Sequence, residues 1–162
     1  MHIRALVCTF AVVLILSAGV ARANVLNQSD IEAFRGLIAK NLDLKKDILS
    51  AGRVMAGEDA RQCMMGLATE VGGVVDRLVL LITLVFLARD MVNNIDESLT
   101  LDHYKFHAQS FLNELPTEGA GISRIAGRGS REDIVSTKAQ EILNLNGAMT
   151  SLLQSIMVRL GQ

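Results

Sequence analysis

Apolar positions recur at steps of three and four along most of the chain, the period of an amphipathic helix, and the alternation that marks a strand is absent. Leu37, Leu44 and Ala51 repeat every seven residues, and Phe34, Ile48 and Met55 form a second series that Asn41 interrupts. Together they make one apolar seam. Ahead of it, Ser29-Asp30-Ile31-Glu32 has the form of a capping box, in which serine takes an orphan backbone N–H and glutamate reaches back. The pattern predicts a first helix over 29–56, with Gly57 as its C-terminal stop.

A second helix is predicted over 59–93, opened by Asp59-Ala60-Arg61-Gln62, a looser capping box with aspartate as cap. Its first half carries Glu70, Asp76 and Arg77 beside Gly72-Gly73. Its second half, Leu78 to Ala88, is apolar except for Thr83. A helix apolar all round is a buried one, and this run falls well short of the roughly 20 residues that span a bilayer. It reads as a central core helix. Asn93-Asn94 and Asp96 are poor helix formers and mark a break.

The third helix is predicted over 96–115, with Leu101, Tyr104, Ala108, Phe111 and Leu115 as its buried stripe and Pro116, the sole proline, as its stop. The segment 116–129 holds Gly119, Gly121, Gly127 and Gly129 and reads as a loop. The fourth helix, over 130–160, opens on Ser130-Arg131-Glu132-Asp133 and continues through Ile142, Leu145, Met149, Leu152 and Ile156. Short connections suit antiparallel neighbours, so the expected fold is an all-α, antiparallel four-helix bundle.

Residues 1–23 have a different character. Arg4 is followed by an apolar run from Ala5 to Val20 and then by Ala21-Arg22-Ala23, an A-x-A pattern. This is the form of a cleavable signal peptide, and it predicts a periplasmic or secreted protein beginning at Asn24. Cleavage after residue 23 leaves 139 of the 162 residues, the size of a single domain over 24–162. It also removes Arg4 and Arg22 from the 16 basic residues, leaving 14 against 17 acidic, a net charge of −3. That balance argues against a nucleic-acid partner and against a basic, membrane-adhering surface.

Candidate chemistry is sparse. His103 and His107 stand four apart, on a stripe with Asp96, Thr100, Ser110 and Glu114 that falls within about 40° of one line at 100° per residue. Two imidazoles at this spacing are potential ligands for a transition metal, with a third ligand needed from another helix; the alternative is a solvated polar edge. The same histidines are candidate pH sensors. Arg124, Arg128 and Arg131 flank the glycine-rich segment at a helix N-terminus, a place for an anion or a partner's carboxylate. Cys63 is the one cysteine left after cleavage; it suits a small buried hydrophobe or an intermolecular disulfide in a homodimer. No catalytic motif is present. The expected function is therefore a non-enzymatic protein-binding module of the cell envelope. The alternatives are a membrane-active protein that inserts its apolar run 78–88, and a bundle that binds a small ligand or a metal.

Overall fold

The computed structural model describes residues 28–90, 97–129 and 133–161. Four helices account for nearly all of them: α1 (Gln28–Val54), α2 (Glu58–Asp90), α3 (Glu97–Arg128) and α4 (Asp133–Arg159). No strand occurs among the described residues. The expected all-α four-helix fold is the one observed. The predicted signal peptide, the break at Asn93–Asp96 and the start of the fourth helix at Ser130 and Arg131 lie outside the described residues.

The helices run up and down in sequence order. A turn of three residues joins α1 to α2, and its Gly57 carbonyl accepts the first helical bond of α2 from Arg61 at 3.1 Å. Gly57 therefore caps the second helix rather than stopping the first. The early half of α2 packs with the late half of α3, and the late half of α2 with the early half of α3. At the far end Arg159 donates to Asp30 at 2.6 Å, which ties the end of α4 to the start of α1 and closes the ring. At the α3–α4 corner, Gly129 donates to Ile125 at 3.2 Å. A methyl group on Gly129 would come within 2.7 Å of Val135, so glycine is needed there for close approach of the two helices.

The core falls into two apolar clusters. The first joins Phe34 and Leu37 of α1, Val74 to Ile82 of α2, Tyr104 to Leu115 of α3 and Met149 to Met157 of α4. The second joins Leu44 and Ile48, Ala60 to Val71, Ile122, and Val135 to Ile142. Between them each helix contributes a residue that is polar or lacks a side chain. Asn41 lies between Leu37 and Leu44, Gly72 and Gly73 between Val71 and Val74, Glu118 between Leu115 and Ile122, and Asn146 between Ile142 and Met149. These positions form a polar layer between the two clusters, bridged by the half-buried Leu145, which packs against both.

Two expectations are overturned. The segment 116–129 is not a loop: α3 continues through Pro116 to Arg128. Its three-four spacing continues as well, since Ile122 follows Leu115 by seven residues and is fully buried, and Gly129 follows Ile122 by seven. An interior proline costs about 3 kcal/mol; here burial of Leu115 and Ile122 on the same stripe, together with the Glu118–Arg77 ion pair, holds the helix through it. The apolar run of α2 is also not wrapped on every side. Val79 and Leu80 remain 44% and 43% exposed, and Thr83 is exposed with its hydroxyl donating to the Val79 carbonyl at 2.8 Å. A helix in a ring of four meets neighbours on only part of its circumference.

Candidate functional site

Nine glycines and one proline, residues that disfavour helices, stand inside the described helices, and three of them are Pro116 and Gly119 in α3 and Gly147 in α4. All three line the same feature, a groove of about 690 Å³ between α3 and α4. Its polar lining comes from Gln109 and Asn113 on α3 and from Asn146, Thr150 and Gln154 on α4. Its apolar lining includes Leu112, Leu115, Leu143, Met157 and Val158. No charged residue contributes among the described residues.

Asn146 is the most unusual member. It is only 6% exposed, and neither its amide nitrogen nor its amide oxygen has a hydrogen-bond partner among the described residues. Its backbone carbonyl accepts from the Thr150 hydroxyl at 2.9 Å, so the unmet demand belongs to the side chain alone. Asn41, in the same polar layer, donates to the Leu37 carbonyl at 2.8 Å, and its amide oxygen is left without a partner. A buried polar group without a partner costs about 1–3 kcal/mol.

The glycines are equally costly. Gly in a helix interior is about 0.5–1 kcal/mol worse than Ala. A methyl group at Gly147 would meet nothing within 4 Å, and one at Gly119 would meet Leu143 only at an ordinary 3.5 Å. Packing within the chain therefore requires glycine at neither position. Gly147→Ala is expected to stabilise the fold by about 0.5–1 kcal/mol in denaturant unfolding, a gain that a hidden steric role for Gly147 would turn into a loss.

A cluster of charged groups lies on the other side of α3. Arg77 of α2 pairs with Glu114 at 2.8 Å and with Glu118, and its guanidinium lies over the Phe111 ring at 5.4 Å. Ser110 donates to Glu114 at 3.0 Å. This is where the predicted histidine stripe falls. His103 is exposed and His107 half-buried, its ring edge-on to Phe106 at 5.4 Å. Glu114 faces Arg77 rather than the histidines, and no group of three His, Cys, Asp or Glu residues suited to a metal occurs among the described residues.

The other predicted site residues are dispersed. Arg124 and Arg128 are exposed on the last turns of α3, and the Arg124 guanidinium donates to the Ala120 carbonyl at 3.4 Å. With the glycine-rich segment helical, these two do not form the anticipated cradle at a helix N-terminus; Arg131 lies outside the described residues. Cys63 is buried in the second cluster, which leaves an intermolecular disulfide no exposed thiol to use. The groove itself escaped sequence reading because its markers, Pro116 and Gly119, carry the signature of a loop.

Tyr104, the chain's single tyrosine, is buried at the Asp30–Arg159 clasp. Burial raises its hydroxyl well above the usual value of 10.0, the Asp30 carboxylate adds to this, and Arg159 opposes it. The folded chain holds this proton more tightly than the unfolded chain, so stability is full below about pH 10 and declines as pH rises beyond it. The tyrosinate absorption band is expected to appear only together with unfolding. Tyrosinate appearing while helical ellipticity is intact would contradict this.

No family model matches the chain, and no curated protein or solved structure matches it.

Proposed function

We propose that this chain is an exported, non-enzymatic helical protein that acts as a binding module of the cell envelope and engages a protein partner through the α3–α4 groove. The observation that carries this reading is the meeting of Pro116, Gly119 and Gly147 on one groove, where each costs helix stability and neither glycine is required by packing. Conflict between local preference and fold concentrates at functional sites. The exported address rests on the pattern Met1–Ala23. Binding is favoured over catalysis because the groove is lined by carboxamides, one hydroxyl and apolar side chains, none of which titrates near neutral pH.

The test is site-specific photo-cross-linking in living cells. A photoreactive residue at Asn113, on the groove, should capture a discrete envelope protein, and the adduct should vanish in Gly147→Leu, which fills the groove. The same residue at Lys40, exposed on α1, should capture nothing. No adduct from Asn113, or the same adduct from both positions, would sink the proposal.

A second reading, contact with a membrane surface, draws on the outer face of the α2–α3 pair. Phe106 is 68% exposed and its neighbour His107 shares a small pocket with Leu80, itself exposed. Among the described residues no helix is long and apolar enough to cross a bilayer. Liposome flotation distinguishes the readings. A membrane-binding chain floats and loses this in Phe106→Ser; a chain that never floats excludes it.

A further inference from the structure

The chemistry of the groove's floor narrows what it takes. Pro116 has no N–H, so the Leu112 carbonyl, one turn earlier in α3, lacks its helical donor. Across the groove, the Asn146 side chain has a donor and an acceptor that are both buried and unpartnered among the described residues. Gly119 and Gly147, beside these two, leave the backbone open to close approach. The group that satisfies a carboxamide at both ends is another amide, giving its N–H to Asn146 Oδ1 and accepting from Nδ2. A peptide backbone supplies that group at every residue, with a further N–H for the Leu112 carbonyl.

Charge and size agree with this. Among the described residues the lining carries no charge, so nothing in the groove pairs with a charged occupant. The groove follows α3 from Gln109 to Gly119, a rise of about 15 Å at 1.5 Å per residue. An extended peptide covers that distance in about four or five residues.

We propose that the α3–α4 groove binds an uncharged, extended peptide segment of its partner, and that Asn146 is the residue that reads the segment's backbone amide. The proposal rests on the groove being the binding surface and adds the class of ligand. The Asn146 amide atoms are buried beneath the groove's lining, so a ligand reaches them only as the neighbouring side chains shift aside. Leu112 and Leu143 then flank the peptide's apolar side chains.

The experiment is NMR titration of the purified chain, in the form the cell accumulates, with a blocked tetrapeptide, N-acetyl-leucyl-asparaginyl-leucyl-alanine amide. Its charged counterpart carries aspartate and lysine in place of asparagine and alanine. The neutral probe is expected to shift the Asn146 side-chain amide and the Gly119 and Gly147 backbone amides, and the charged probe is not. Asn146→Leu should weaken binding about tenfold, the scale of the lost pairing, and Gly147→Leu should abolish it while leaving the fold intact. No shift at about 5 mM probe, equal binding of the charged probe, or unchanged affinity in Asn146→Leu overturns the proposal. If any of these occurs while Asn113 still captures a partner in cells, the groove binds but not by peptide amides. If capture fails too, both readings fall.

Discussion

Phe34→Ala is expected to cost about 3–5 kcal/mol, the range for removing a fully buried aromatic side chain. Phe34 is completely enclosed, in the cluster that also holds Leu37, Tyr104, Phe111 and Ile156. The loss has two parts: the transfer of the ring's apolar surface, and the cavity left because α1, α2 and α4 cannot close fully over the gap. Single domains are stable by only about 5–15 kcal/mol, so this one change removes much of the margin. Phe106→Ala, at an exposed position of the same residue type, should stay within about 0.5 kcal/mol. Equilibrium denaturation of both variants checks the claim. A cost for Phe34→Ala no larger than that for Phe106→Ala would mean that the first cluster does not pack as described.

Arg77→Met is expected to cost about 2–3 kcal/mol. The arginine joins α2 to α3 through Glu114 and Glu118 and covers the Phe111 ring. Glu114 is half-exposed and contributes little. Glu118 is different. Its side chain is mostly buried in the polar layer, so loss of Arg77 leaves a carboxylate with no compensating charge in a poorly solvated place. Arg77 is itself partly exposed, which keeps the figure below the 3–5 kcal/mol typical of a fully buried pair. The double variant Arg77→Met/Glu118→Met should recover most of the loss, because removing both charges also removes both desolvation costs. A double variant as unstable as the single one would place the cost in lost packing on Phe111 instead.

Much of this fold was legible in the sequence, and what was missed has specific causes. The α1 seam of Phe34, Leu37, Leu44 and Ile48 is buried as its spacing predicts, because a repeat of seven with few interruptions has only one helical interpretation. In α4 the predicted seam drifts. Leu145 and Leu152 were expected in the core, whereas Asn146 and Leu153 occupy it and the two leucines are half-buried. Hydrophobicity alone passes over an asparagine at a core position, and Asn41 was likewise read as an interruption. The two interruptions are members of the polar layer. The α3 extension was missed for the same kind of reason. Pro116 and four glycines disfavour a helix locally, and only contacts from other helices, at Ile122, Glu118 and Gly129, outweigh them. Those contacts come from residues distant in sequence. The candidate chemistry was less legible still, since His103, His107, Arg124, Arg128 and Cys63 share no site, whereas the groove's residues are neutral ones that carry no motif.

If the α3–α4 groove is a binding site, Gly119, Gly147 and Asn146 serve a ligand rather than the fold. The variant Gly119→Ala/Gly147→Ala/Asn146→Leu tests it in one denaturant-unfolding measurement against the unaltered chain. The expected result is a gain of about 2–3 kcal/mol, from two glycine replacements and the removal of one unpartnered amide. A loss of stability would show that these residues pack the bundle, and would contradict the groove as a binding site.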